Sequence, residues 1–315
     1  MSWKLGLTFY SNRIFVINPL LFELKELKKA MQKSNLHIYL LCKRKKLFFE
    51  SCDQSESEFN VTKFYYLNKR HDKEHVTIKH CKEIVIHDCK NGICNIDIKE
   101  NKGVEIEDYT LVNSLFHMQE DFLGDKEKRN LPSDLEVLYV GQSFGRNKKR
   151  QIDKRLTNHE KLQKIALEII NKGTSEEVLV IGLDYLVKDL ATAVVTVDTD
   201  RENFSLKNLL KLKANASVRI PESQEVTVYE AALINHFQPE LNIEYKETFP
   251  SLGYSSYEEI YNTKFDYTSV EINTYKTGAR IFSQECPERK YYHNKQFALD
   301  TEDQKKEFFD FLFTE

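Results

Sequence analysis

The chain has 315 residues, of which 41% are hydrophobic and 30% are charged, and its formal net charge is −3. This length predicts about two domains of roughly 150 residues each. No run approaches the roughly 18 apolar residues of a membrane-spanning helix, and six cysteines are too few for a disulfide framework in a chain this long. The apolar N-terminus is interrupted by Asn12, Arg13 and Pro19, so it lacks a signal-peptide core. We therefore expect a soluble cytoplasmic protein with no membrane partner, and the near-neutral charge excludes a uniformly polybasic binder.

Residues 1–105 predict a strand-rich N-terminal domain. A helical pattern covers residues 20–31, and the apolar run at 36–41 is typical of a strand. Residues 83–98 predict a hairpin, because Asn91-Gly92 is the strongest short hairpin sequence. We expect this domain to recognise a target or a partner.

Histidines and cysteines are concentrated in this hairpin and just before it. Across a two-residue turn, Cys89 and Cys94 would face each other with His87 on the same face, a set that could bind zinc. The fourth ligand would be one of His71, His75, His80 and Cys81. No CxxC pair is present and small thiols are common in cores, so core packing is favoured over a structural Zn²⁺ or a redox-sensitive pair.

Residues 106–245 predict alternating strands and helices. The helices are indicated by apolar residues at near-helical spacing, and Pro239 ends the last of them. The expected elements are a polar loop at 124–134, a strand at 135–140, a helix at 151–171, a strand at 178–182, a helical insertion at 184–221 and a helix at 224–238. The remaining residues predict further strands and a closing helix at 302–313.

A concentrated positive charge follows the strand at 135–140. Between positions 146 and 155 a single acid, Asp153, is outnumbered by Arg146, Lys148, Lys149, Arg150, Lys154 and Arg155. Such a field would attract the phosphate backbone of a nucleic acid. The alternative, a solvated run of charges, stays open for the individual lysines.

Five side chains form a second set of candidate functional residues. Tyr139 is near the end of its strand, and Arg155 and His159 are four residues apart, so they share a helix face. Glu230 interrupts an apolar helix face, and Asn242 follows Pro239, where an amide can fix the exit of the helix. Taken singly, these residues also fit surface decoration, a boundary carboxylate and a turn former.

The order and spacing of these residues resemble the core of the GIY-YIG nuclease family. The resemblance rests on Tyr-Val-Gly at 139–141, on RLxxH at 155–159 and on EAALINHFQPELN at 230–242. It covers about 135–245 and implies an α+β fold in which a small central antiparallel sheet is flanked by helices. We then expect three domains, at 1–105, 106–245 and 246–315, the last an α/β extension.

The chain departs from the family pattern at two places. The first motif should lie in a strand shortly upstream of Tyr139, where residues 127–134 are polar. Its strand is therefore sought at 109–116, with Tyr109 as the candidate partner tyrosine. A lysine often follows the glycine of the second motif, and here Gln142 does, which bears on substrate handling more than on the fold.

The resemblance implies hydrolysis of a phosphodiester with one divalent ion, Mg²⁺ or Mn²⁺. Glu230 would ligate the metal, Tyr139 would accept or relay the proton of the nucleophile, and Arg155 would contact the scissile phosphate. His159 would orient the tyrosine or the water, or act as the general base. The substrate-binding residues would be Gly141, Gln142, Arg146, Lys148, Lys149, Arg150 and Asn242. Of these, Asn242 would chiefly hold the helix and the catalytic loop in register.

The leading interpretation is a metal-dependent endonuclease that acts on DNA in preference to RNA. A restriction or anti-phage role is suggested only by what is common in the family and by none of these residues. A protein partner or a homodimer stays open. One alternative is a catalytically silent nucleic-acid-binding or assembly subunit, and another is a subunit activated only within a complex. A pure binder has no need of a metal carboxylate, so Glu230 beside Tyr139 and Arg155 favours the enzyme.

Overall fold

The computed structural model describes residues 6–17, 36–54, 58–68, 70–123, 131–142, 176–186, 221–244, 258–262 and 265–309. The helices expected at 20–31 and 151–171, the basic loop and most of the expected insertion at 184–221 lie outside these residues. Among the helices that the structure describes, none is long and apolar enough to cross a membrane.

The protein is a mixed, strand-rich α/β structure. The strands are β1 Gly6–Ile17, β2 Ile38–Lys45, β3 Phe48–Asp53, β4 Phe59–Leu67, β5 Lys73–Cys81, β6 Ile84–Lys90, β7 Ile93–Ile98, β8 Asn101–Glu107, β9 Leu135–Gln142, β10 Glu176–Leu186, β11 Tyr267–Asn273, β12 Ile281–Phe282 and β13 Tyr292–Ala298. The helices are α1 Asp108–Leu123, α2 Glu222–Phe237, α3 Glu240–Glu244, α4 Glu258–Tyr261 and α5 Glu302–Phe309. The strands expected at 135–140 and 178–182 are confirmed as β9 and β10, and the helix expected at 224–238 is confirmed as α2.

A seven-stranded sheet, in the order β12-β9-β2-β10-β1-β11-β13, forms the centre of the fold. The pairs β9–β2, β2–β10 and β10–β1 are antiparallel, whereas β1–β11 and β12–β9 are parallel. The sheet is therefore larger than the small antiparallel sheet that we expected. It also takes strands from each of the three expected domains, so those ranges do not correspond to separate sheets.

The described residues between β2 and β9, two neighbouring strands of the central sheet, form an inserted unit. The unit contains two three-stranded sheets, β3-β4-β5 and β6-β7-β8, together with α1. Its own core includes Phe64 and Ile78 from one small sheet, Ile96 from the other and Leu115 from α1. Because the unit buries a separate apolar core, it can interrupt the central sheet in sequence without interrupting it in space.

The predicted hairpin at 83–98 is confirmed as β6–β7. Asn91 and Gly92 have φ values of 53° and 81°, which places both turn residues in the left-handed region that a two-residue hairpin of type I′ requires. Cys89 and Cys94 face each other across the pair as expected, and the structure joins them in a disulfide.

The strand expected at 109–116 is wrong, because these residues belong to α1. Leu111, Val112, Leu115 and Phe116 recur at helical spacing and are buried in the core of the inserted unit. The hydroxyl of Tyr109 donates a hydrogen bond to the carbonyl of Val16 at 2.8 Å, so this side chain anchors α1 to β1.

A buried ion pair fixes the start of β9 to the C-terminal part of the chain. The carboxylate of Asp134 accepts two hydrogen bonds from Arg280, at 2.8 and 2.9 Å, and a third from the backbone N–H of Leu131 at 2.8 Å. Both charged side chains are buried. The bidentate geometry and the backbone donor satisfy the carboxylate, which is the condition under which a buried ion pair is tolerated.

Candidate functional site

Two tyrosines come together where β2 and β9 pair. In the antiparallel register Tyr39 is opposite Gly141, and Leu41 is opposite Tyr139. The two tyrosine side chains are therefore diagonal neighbours on one sheet face, and their ring centroids are 5.9 Å apart. Tyr39, and not Tyr109, is the tyrosine that accompanies Tyr139.

The glycine of the Tyr-Val-Gly sequence leaves room for both rings. A Cβ atom at Gly141 would lie 2.7 Å from Cε1 of Tyr139 and 2.8 Å from both Cζ and Oη of Tyr39. These separations are shorter than any van der Waals contact, and both tyrosines are buried. Gly141 is therefore required for the close approach of the two side chains to the backbone.

Asn242 completes the hydrogen bonding of β9 on the side facing away from β2. Its Oδ1 accepts a hydrogen bond from the backbone N–H of Val140 at 2.7 Å, and its Nδ2 donates one to the carbonyl of the same residue at 2.9 Å. One side-chain amide thus takes the place of a neighbouring strand at this position. Since Asn242 is 2% exposed and both amide atoms bond to Val140, the side chain positions the strand.

Glu230 occupies the next position along the same strand edge. Its Oε1 accepts a hydrogen bond from the backbone N–H of Gln142 at 3.0 Å, and the residue is 8% exposed. Residues two apart in a strand direct their backbone groups to the same side, so Glu230 and Asn242 bind consecutive positions of one edge. The apolar residues of α2 pack in the core under the central sheet and thereby hold the carboxylate at the end of β9.

The sheet separates these groups into two sides of one strand end. Ile38, Leu40 and Val140 belong to the core that α2 shares, so the alternation of side chains places Tyr39 and Tyr139 on the opposite face. The rings thus flank Gly141 over that face, while Glu230 reaches Gln142 at the strand edge. The hydroxyl of Tyr39 and a ring edge of Tyr139 thus lie beside Gly141, and the carboxylate of Glu230 reaches the next residue from the strand edge.

A titratable cluster lies beside this strand end. His37 immediately precedes β2, whose first residue is paired with Gln142. Nε2 of His37 is 3.5 Å from the carboxylate of Glu222, and its ring contacts Tyr185 edge-on at 5.3 Å between centroids. Burial lowers the pKa of His37, an effect that Glu222 opposes, so the neutral imidazole is favoured at neutral pH.

The structure thus assembles five of the expected site residues: Tyr139, Gly141, Gln142, Glu230 and Asn242. The other expected residues lie outside the part of the chain that the structure describes: Arg146, Lys148, Lys149, Arg150, Arg155 and His159. Tyr39 was missed in the sequence, although its strand was predicted. The sequence offers two signals for Tyr39: the residue is a tyrosine, and it lies in an apolar run. Neither signal indicates that its strand pairs with β9.

The zinc set considered in the hairpin does not assemble. Cys89 and Cys94 are bonded to each other, and His87 is instead 3.1 Å from the carboxylate of Asp97. His80 is buried, with Nε2 2.7 Å from the hydroxyl of Thr62. A disulfide therefore takes the place of the metal ligands, and within the described residues this hairpin offers no group of three ligands.

Comparison of the chain with protein-family models, with curated proteins and with solved structures finds no match.

Proposed function

We propose that the chain is a metal-dependent endonuclease of the GIY-YIG type, with DNA favoured over RNA as its substrate. The observation that carries the proposal is the contact of Glu230 with the amide of Gln142, directly after the Tyr-Val-Gly sequence. Two residues of the resemblance that are far from β9 in the chain, Glu230 and Asn242, bind the backbone at its end, which supports the proposal. Arg155 and His159 keep the roles that the resemblance gives them, and the basic residues between 146 and 150 would bind the phosphate backbone.

The donor set at the end of β9 fits a small hard cation. Mg²⁺ and Mn²⁺ prefer carboxylate oxygens, and Mg²⁺ is usually held by one or two carboxylates together with substrate phosphate and water. Glu230 provides one such carboxylate, and it is held in place by a helix and by a backbone hydrogen bond. The bound ion would supply positive charge that stabilises the attacked phosphate and the departing oxygen.

The paired strands give the two tyrosines a defined place beside Gly141. In the proposed mechanism Tyr139 accepts or relays the proton of the attacking water, and Tyr39 packs against it and fixes its ring. The first motif of the family pattern, sought earlier near Tyr109, is assigned to β2 in this proposal. Gly141 has no side chain of its own, which lets both tyrosine rings lie against the backbone at this point.

A silent subunit is the second candidate, and the same hydrogen bond supports it. A carboxylate that accepts the N–H of Gln142 satisfies a donor at a sheet edge, which is a purely structural service. The two candidates differ in whether they need the negative charge of Glu230. An amide can accept the same hydrogen bond, as the silent subunit requires, but it is a much poorer ligand for Mg²⁺ than a carboxylate, which the nuclease requires.

The deciding experiment therefore compares Glu230→Gln with the unaltered chain. Purified protein is incubated with plasmid, linear and single-stranded DNA and with RNA, each in Mg²⁺, in Mn²⁺ and in a chelator. We expect metal-dependent cleavage by the unaltered chain, its loss in Glu230→Gln, and an unchanged melting temperature. Glu240→Gln is the matched control, because Glu240 is an exposed carboxylate close to Asn242 in the chain, and it should cleave normally. No cleavage of any substrate by the folded chain would favour the silent subunit, and equal cleavage by Glu230→Gln would show that the reaction does not use Glu230 as its metal ligand.

A further inference from the structure

Three side chains that are far apart in the sequence converge near the C-terminal end of α2. His236 lies in the last turn of α2, Cys286 in the turn after β12, and His293 in β13. One ligand atom from each lies within 4.8 Å of the other two. Nε2 of His236 is 3.1 Å from Nδ1 of His293 and 3.9 Å from Sγ of Cys286. We propose that these three side chains form a binding site for a transition-metal ion, with Zn²⁺ as the ion that fits best.

The separations match those of ligands around one tetrahedral ion. Zn–N bonds of about 2.1 Å and Zn–S bonds of about 2.3 Å place two nitrogens about 3.4 Å apart and a nitrogen and a sulfur about 3.6 Å apart. The observed distances of 3.1 and 3.9 Å are close to both values. The third pair, His293 and Cys286, lies within 4.8 Å, so the side chains would move together for all three atoms to reach one ion.

The ligand types select the class of metal. Imidazole nitrogen and thiolate sulfur suit zinc and its neighbours among the transition metals, whereas Mg²⁺ and Ca²⁺ prefer oxygen. This site therefore differs in chemistry from the carboxylate of Glu230. It also differs in position, because His236 lies six residues after Glu230 on α2, about 9 Å along the helix axis.

Neighbouring groups already orient His293 as a ligand. Its Nε2 is 2.9 Å from the carbonyl oxygen of Ile281, an acceptor, so Nε2 carries the proton and the lone pair of Nδ1 faces the cluster. A backbone carbonyl on the far nitrogen is a common partner of a metal-bound histidine. Burial lowers the pKa of His293, and it lowers that of His236 to about 4, so both rings are in the neutral form that ligates metals.

Cys286 is held by a turn that is fixed to the end of α2. The hydroxyl of Ser283 accepts a hydrogen bond from the N–H of Cys286 at 2.9 Å and donates one to the carbonyl of Phe237, the residue after His236. The turn and the helix end are thus joined without an ion, and the site is largely preformed. Binding would convert the thiol to a thiolate with release of one proton to solvent, so affinity should rise with pH.

An ion at this place would join α2 to the C-terminal strands. The described residues supply three ligands, and a water molecule or a further ligand would complete the tetrahedron. Cys286 and His236 are partly exposed, so an ion can reach the site from solvent. Because α2 also carries Glu230, the ion would help to hold the helix that positions the candidate catalytic carboxylate.

Cobalt is the suitable probe, since a thiolate bound to tetrahedral Co²⁺ gives a charge-transfer absorption that neither imidazole nor carboxylate ligands give. The full chain is purified, stripped with a chelator, and titrated with Co²⁺ and then with Zn²⁺ in competition. We expect one equivalent of Co²⁺ with the thiolate absorption, and its displacement by Zn²⁺. Protein purified without a chelator should contain zinc by elemental analysis.

Variants assign the ion to these side chains. Cys286→Ser should abolish the thiolate absorption, and His236→Asn should weaken binding by more than the roughly 10- to 100-fold that loss of an outer partner of a metal ligand costs. Cys52→Ser removes another partly buried free thiol and should bind cobalt normally. Glu230→Gln should also retain the site, which separates this proposal from the proposed nuclease. If the unaltered chain gives no thiolate absorption, or if Cys286→Ser retains it, the site is a hydrogen-bonded packing cluster and the proposal is wrong.

Discussion

Replacement of Asn242 by alanine tests whether one side chain secures the edge of β9. The change removes both hydrogen bonds to Val140, whose backbone is buried, and leaves an N–H and a carbonyl without partners. Each buried polar group left unpaired costs about 1–3 kcal/mol, and water entering the space left by the amide would recover part of that. We expect the free energy of unfolding to fall by about 3 kcal/mol, a large share of the roughly 5–15 kcal/mol typical of a folded protein.

Urea unfolding followed by far-ultraviolet circular dichroism measures this loss. Asn294→Ala is the matched control, because Asn294 is an exposed residue of β13, and it should change the unfolding free energy by less than about 0.5 kcal/mol. Asn242→Asp keeps the acceptor for the N–H of Val140 but places a carboxylate oxygen against its carbonyl, so it should destabilise at least as much as alanine. A loss below about 1 kcal/mol for Asn242→Ala would show that the two hydrogen bonds do not hold the strand.

Two further predictions concern the glycine of the site and a buried histidine. Gly141→Ala should lower the free energy of unfolding by about 1–3 kcal/mol, because the Cβ of the alanine would overlap the rings of Tyr39 and Tyr139. It should also reduce cleavage. An unchanged melting temperature would show that the two rings can move aside. Burial lowers the pKa of His80, so the unfolded chain binds its proton more tightly than the folded protein. The stability that His80 contributes is therefore present above a pH of about 6.5 and is lost as the pH falls below it. Urea midpoints measured across that interval should fall less steeply in His80→Gln, and parallel profiles for the two proteins would contradict the assignment.

The elements that the sequence predicted are those encoded by neighbouring residues. The β6–β7 hairpin follows from Asn91-Gly92, and α2 follows from its apolar spacing and from Pro239. The resemblance also assigned Glu230 to the same site as Tyr139 and gave Asn242 the role of holding the helix in register, and both side chains bind the end of β9. These features depend only on local patterns or on the order of motifs along the chain.

The partner of Tyr139 could not be predicted in the same way. Tyr39 is its neighbour across two paired strands, and residues 46–134 lie between those strands in the sequence. The first motif was expected at 109–116 with a connection longer than usual, but the strand that pairs with β9 lies still further upstream. Pairing between distant strands leaves no periodic pattern in the sequence. Nothing in the sequence therefore indicated that β2 is the partner of β9.

The long connection is physically inexpensive, which explains how the paired strands tolerate it. The entropic cost of closing a loop grows only with the logarithm of its length, by about 0.6 kcal/mol for each doubling. The inserted unit also offsets its own ordering cost, because it buries a separate core around Phe64, Ile78 and Leu115. The strand end at Gly141 then depends on β2 for one edge and on Asn242 and Glu230 for the other. Since neither edge needs contacts from the inserted unit's core, substitutions within that core should change stability without displacing Tyr39 from Tyr139.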